Sequence, residues 1–187
     1  MQMTTRKVAL LLVLCALLAA PRLGATMLQR FSLDEMTHNA EKVFRGTVVD
    51  VVPGTVFAGG AELPTVTYRL RVDEAFKGSF DTKDDVQVVE IHMLGSLKQD
   101  PAANGLQHLS VLPEIPRLQV GRDYLLLTTP PSAIGLSTTV GLGQGCFEIY
   151  SADKAEWAKN AFDNAGLYDG AVTYNDLAED IRQLVGE

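Results

Sequence analysis

The sequence predicts a mainly β protein, a barrel or a sandwich, preceded by an export signal and followed by helices. Short runs rich in β-branched residues recur through the middle of the 187-residue chain, each ended by Gly or Pro. One of them, residues 65–73, alternates strictly. Val66, Tyr68, Leu70 and Val72 share one face and Thr67, Arg69, Arg71 and Asp73 the other, the period of a half-buried strand. Between these runs there is no strand–helix–strand alternation, which argues against a parallel sheet.

Residues 1–25 have the layout of a secretory signal peptide. Arg6 and Lys7 precede an unbroken apolar run over residues 8–20, Pro21 breaks it, and Gly24 and Ala25 are small enough for cleavage after Ala25. That run is short for a bilayer, and no other segment approaches the ~20 apolar residues of a membrane helix, so no stable membrane insertion is expected once the signal is removed. Cys15 follows Leu14 and sits inside the apolar run, a setting for a small hydrophobe rather than a lipid-attachment site. The expected location is secreted or periplasmic.

Cleavage would remove three cations (Arg6, Lys7, Arg22) and no acid, taking the net charge from −7 to −10. Nucleic acid and anionic membrane surfaces draw on clustered Lys and Arg, so this charge disfavours both, and no nucleic-acid partner is expected. Residues 26–187 suit a single domain of ordinary core size. Of the two cysteines only Cys146 would survive, which excludes an internal disulfide and leaves burial as the expected fate of its thiol.

Each element follows from local chemistry. Ser32 and Glu35 form a capping box, predicting a short helix to about Lys42. Residues 43–52 form a strand stopped at Pro53-Gly54, with Gly46 marking a bulge or bend. Gly59, Gly60 and Pro64 predict a loop before the alternating strand of residues 65–73. Residues 74–78 turn the chain into a strand at residues 86–93. Residues 95–116 form a long connection with one short strand near Leu109 to Leu112. Residues 124–129 are a buried strand stopped by Pro130-Pro131, and a strand over residues 137–150 is broken at Gly141 and Gly143. A helical extension is expected from about residue 151: Ser151 caps one helix running to about Asn164, ended by Gly166, and Thr173 with Asp176 starts another.

Taken in order, Val43-Phe44-Arg45-Gly46-Thr47-Val48-Val49, Val72-Asp73-Glu74-Ala75-Phe76-Lys77-Gly78, Val120-Gly121-Arg122-Asp123-Tyr124-Leu125-Leu126-Leu127 and Gly141-Leu142-Gly143-Gln144-Gly145-Cys146-Phe147 resemble a group of small exported bacterial proteins of mostly unknown function. The resemblance covers residues 32–150 and implies a small five-stranded, partly open OB-like barrel; with the elements read above, the expected fold is a five- to six-stranded OB-like, partly open barrel with a short N-terminal helix and two C-terminal helices. It is distantly similar to the netrin-type domain of the tissue inhibitors of metalloproteinases. Those inhibitors use an amino-terminal cysteine on the protease's zinc, whereas the start expected here, Thr26, has none.

Motifs for chemistry are sparse. Glu90 and His92 fall two apart on a strand and so share a face, where a carboxylate beside an imidazole suits acid–base work or a metal. Two ligands are too few for zinc, and neither His38 nor His108 has a spacing that adds a third. Cys146 could act as a nucleophile only if the fold brought His92 or His108 to it. Asp81, Asp84 and Asp85 read as a solvated hairpin turn rather than a calcium loop, and the echo of such a loop at residues 169–176 lacks its first two ligands. There is no nucleophile elbow, phosphate loop or dinucleotide fingerprint, and nothing calls for a cofactor. The reading is an exported, non-enzymatic interaction module that contacts an envelope or extracellular protein through residues 53–64 and 95–116. Its alternatives are an inhibitor or escort of an exported protease, and a thiol- or metal-dependent enzyme built on Cys146, Glu90 and His92.

Overall fold

The computed structural model describes residues 29–97 and 115–186. The signal sequence with Ala25 and Cys15, most of the expected contact loop 95–116 (residues 98–114) with its strand near Leu109, and His108 lie outside the described residues. The architecture is mainly β, one antiparallel sheet with a helix at each end of the described chain. Helix α1 (Leu33–Asn39) opens with the expected capping box: Glu35 N–H donates to Ser32 Oγ at 3.1 Å and Ser32 N–H to Glu35 Oε2 at 2.8 Å. It stops short of Lys42 because Glu41 N–H already bonds Thr128 O at 2.8 Å, committing the chain to the sheet.

Strands β1 (Lys42–Ala58) and β2 (Ala61–Lys77) form one continuous hairpin. This corrects the loop expected at residues 53–64. Gly59 and Gly60, with φ of 59° and 80°, make the left-handed two-residue turn that matches the twist of paired strands, so the ladder runs to the tip. The bend at Gly46 is present as a register shift between Arg45 and Gly46, and a Cβ there would stand 2.5 Å from Arg71 O. Strands β3 (Asp81–Lys83) and β4 (Val86–Leu94) follow, joined by Asp84 and Asp85 at φ of 51° and 63°, the expected acidic hairpin turn.

Strand β5 (Asp123–Thr128) pairs with β1. The strand expected over residues 137–150 resolves into three pieces: a bridge of Thr139 to Thr128, a 3-10 turn at Leu142–Gly145, and β6 (Cys146–Ala152). Gly145 is enforced by packing, since a Cβ would lie 2.5 Å from Val140 O. Beyond it the first of the two expected C-terminal helices is absent. Asp153 and Lys154, at φ of 51° and 65°, turn the chain back into β7 (Ala155–Asn160). Asn160 and Asn164 then stop the strand by exchanging backbone-to-side-chain bonds of 2.8 and 2.9 Å, while Asn164 Nδ2 reaches Ala158 O and Gly170 O. Strand β8 (Val172–Thr173) leads into α2 (Tyr174–Gly186), whose start is marked by Thr173 and Asp176 as predicted.

The sheet order is β3-β4-β2-β1-β5-β6-β7-β8, all neighbours antiparallel. It therefore has eight strands rather than five or six, and its ladder does not close into a barrel. One tie crosses the opening: Ser137 N–H donates to His92 O on β4 at 2.8 Å. The sheet is apolar on both faces. Phe44, Val48, Tyr68, Leu70, Ile91, Met93 and Leu126 fill its inner curve, and Val43, Leu125, Leu127, Phe147, Met36, Leu177 and Ile181 pack α1 and α2 on the outer side. Two-sided burial explains why β5 reads as an unbroken apolar run.

Candidate functional site

Alternation along the strands puts a belt of charge on the outer face wherever the helices do not cover it. Glu90 and His92 do share that face, but each is already engaged. Arg69 lies between two carboxylates, with Nε donating to Glu90 Oε1 at 2.7 Å and Nη1 to Asp50 Oδ2 at 3.1 Å. His92 Nδ1 sits 2.9 Å from Thr67 Oγ1, and its Nε2 is 3.9 Å from Glu90. Glu90 is thus engaged by a charge-assisted hydrogen bond to Arg69, its neighbour on the next strand. His38 lies in the last turn of α1, where its carbonyl accepts from Lys77 Nζ at 3.1 Å. Among the described residues no three His, Cys, Asp or Glu side chains are grouped to hold a metal ion.

The belt centres on Arg45. Its Nη1 and Nη2 grip Glu156 at 2.8 and 2.7 Å, Nη2 also reaches Asp123 at 3.1 Å, and the guanidinium lies 4.5 Å from the centre of the Tyr174 ring. The side chain is 15 % exposed, and the Glu156 hydrogen bonds drive its pKa further up against the opposing effect of burial. Tyr174 Oη donates to Glu74, which also receives Arg182 from the same helix. Burial alone would raise the Glu74 carboxyl; the Tyr174 and Arg182 hydrogen bonds outweigh it and hold the group below the ordinary carboxylate range. Asp73 is likewise pushed up by burial but held low overall by Arg71 and Thr47, and Glu156 is held low by Arg45. This is a structural lock between α2, β1, β2 and β7, with its cations already matched by carboxylates.

Cys146 begins β6 on the opposite, inner face, so the sheet separates it from Glu90 and His92 and the pairing of Cys146 with His92 is not formed. Burial pushes its thiol up to about 12. At neutral pH it is a protonated and weakly nucleophilic group. It lies at the floor of a groove of about 300 Å³ whose walls include Arg117, Tyr124, Glu148, Tyr150 and Lys159. Glu148 there receives Arg122 Nη1 at 3.2 Å.

The feature that sequence reasoning missed is the distal part of the β1–β2 hairpin. Pairing of β2 with β4 ends at Thr65 opposite Leu94, and pairing of β1 with β5 ends at Thr47 opposite Asp123. Beyond the Gly95 N–H bond to Pro64 O at 3.0 Å, residues 53–64 continue as a two-stranded arm with no strand on either side among the described residues, and Phe57 stands 74 % exposed near its tip. The signal was present in Thr55-Val56-Phe57 before Gly59-Gly60, a β-favouring run feeding a hairpin turn; Pro53 and Pro64 obscured it. No protein-family model and no curated protein matches this chain, so the geometry itself carries the functional argument.

Proposed function

We propose that the protein is an exported interaction module that engages an envelope or extracellular protein through the β1–β2 arm. One observation carries the reading: an isolated two-stranded ribbon is marginal in water, yet this one projects a large aromatic side chain into solvent. The contrast with the rest of the molecule supports it. Glu90 and His92 are tied into ion pairs and hydrogen bonds, and Cys146 is buried with a raised pKa, so each candidate for chemistry has a structural occupation. Among the described residues no helix is long and apolar enough to cross a membrane. Export rests on the pattern of residues 1–25, and the likeness to an OB-like barrel on the sequence resemblance.

The test is affinity capture from the host envelope and culture fluid, with the chain starting at Thr26, against a variant in which residues 53–64 are replaced by Asn-Gly. A protein enriched by the first and lost with the second, and weakened by Phe57→Ser, is the expected result. An enriched set unchanged by arm removal overturns the reading. Sequencing of the secreted product tests the export step, with Thr26 as the expected first residue.

A further inference from the structure

The arm leaves a strip of main chain open along β1. Because Gly59 and Gly60 form a two-residue turn, Ala58 and Ala61 flank it as a hydrogen-bonded pair, and such pairs recur at Val56 with Leu63 and Gly54 with Thr65. The main-chain groups of Pro53, Thr55 and Phe57 consequently point away from β2. On that side β5 has already ended, and among the described residues no main-chain group bonds them. Val51 N–H, on the same side, is taken by Asp50 Oδ1 at 2.8 Å, and Pro53 has no N–H. The open set is the Pro53 carbonyl and both groups of Thr55 and Phe57.

The sheet's terminal strands are blunted in the usual ways. Strand β3 has three residues and includes Lys83, while β8 has two and runs straight into α2. The arm is not protected in this manner. Residues 49–67 contain Asp50 and Glu62 and no Lys or Arg. Asp50 is paired with Arg69, whereas Glu62 forms no ion pair among the described residues and receives only Thr55 Oγ1, at 2.7 Å. Of eight large hydrophobic side chains that stand exposed among the described residues, Val49, Val52 and Phe57 lie on this strand and Val120 lies at its base, beside the Gly121 N–H that bonds Val48 O. Apolar exposure is thus gathered where main-chain groups are free. Pairing of strands gives each face of the arm a distinct chemistry: Val52, Val56 and Leu63 on one, Phe57 with Glu62 on the other.

We propose that this edge adds a strand. An extended segment of the partner, with apolar residues alternating with Lys or Arg, pairs with Pro53, Thr55 and Phe57 through the main chain. Its apolar side chains lie against Val52 and Val56, and its cations lie over the Phe57 ring and beside Glu62. The inference rests on the interaction-module reading and names the partner's chemistry.

The probe is an eight-residue peptide of alternating valine and lysine, titrated into the full mature chain while amide hydrogen exchange is followed by NMR. Saturable binding with slowed exchange at the Thr55 and Phe57 amides is expected. Thr55→Pro removes an N–H that takes no part in the β1–β2 ladder and is tolerated at a strand edge, so it should weaken binding about tenfold or more without unfolding the arm. Thr55→Val keeps that N–H and should bind normally, which separates loss of the amide from loss of the hydroxyl bond to Glu62. A peptide with glutamate in place of lysine should bind more weakly. Absence of saturable binding, or equal binding by Thr55→Pro, overturns strand addition. Arm-dependent capture in the envelope experiment would then still stand, whereas loss of arm dependence in that experiment would remove the underlying reading itself.

Discussion

The two halves of the β1–β2 hairpin are made of similar residues but live in different surroundings. The proximal half, with Val43, Phe44, Val48, Leu70 and Val72, is covered on one side by the sheet's inner curve and on the other by helices or ion pairs. The distal half, with Val52, Val56, Phe57 and Leu63, continues the same ladder into solvent. Both halves carry β-branched and aromatic side chains, though the distal one also holds Pro53, Gly54 and Pro64; among the described residues only the proximal half has a third and fourth strand beside it. Burial is a property of neighbours, and a β-rich segment without them is either a liability or a contact surface.

The contrast can be broken most severely from the proximal side. Phe44 is 0 % exposed in the inner core, so Phe44→Ala should cost about 3–5 kcal/mol in denaturant unfolding. A cost below about 1 kcal/mol would show that the inner curve is not packed as a core. Arg45→Met should cost about 2 kcal/mol, since it strands Glu156 and Asp123 and loses the Tyr174 stack. An unchanged midpoint would mean that the lock contributes nothing to holding α2.

Acid should loosen the same lock by a route that can be read without mutation. Asp73, Glu74 and Glu156 are held below their unfolded values of 3.8 for Asp and 4.5 for Glu. In that window the unfolded chain binds more protons, so the stabilisation is complete above the unfolded values and lost as pH falls through the folded ones. Unfolding curves between pH 6 and 2 should show a decline that Arg45→Met makes shallower. An identical slope in both proteins would assign the acid sensitivity elsewhere.

The smallest expected effect is on the distal side. Phe57→Ser should leave stability within about 0.5 kcal/mol, because the ring buries little. Hydrogen exchange should also be faster at the arm's tip than at Leu70 or Leu126, reflecting local opening. A large loss of stability on Phe57→Ser would show that the arm is supported by contacts of its own, and would dissolve the comparison.

Several elements were legible in the chain. The Ser32–Glu35 capping box, the alternating residues 66–73, the Gly46 bend, the acidic turn before β4 and the start of α2 each depend on chemistry within a few residues, and each is found where local rules place it. The segment 151–164 was misread because Ser151 can cap a helix as readily as it can sit in a strand. Pairing with β6 and the buried Asn160–Asn164 exchange decided the matter. The same limit applies to the site. The spacing of Glu90 and His92 determined that they share a face, but the Arg69 that neutralises Glu90 comes from another strand.

By itself, then, the sequence determined the acidic balance through composition, and the β class, the Ser32 and Thr173 caps, the turn at Asp84-Asp85 and the alternation that assigns side chains to faces through backbone sterics and short-range hydrogen bonding. Only the tertiary structure decided that the sheet has eight strands and stays open, that Cys146 lies across the sheet from Glu90 and His92, and that residues 53–64 project as an arm. Those outcomes depend on which strand ends beside which. That is a matter of long-range pairing, which no local window of residues contains.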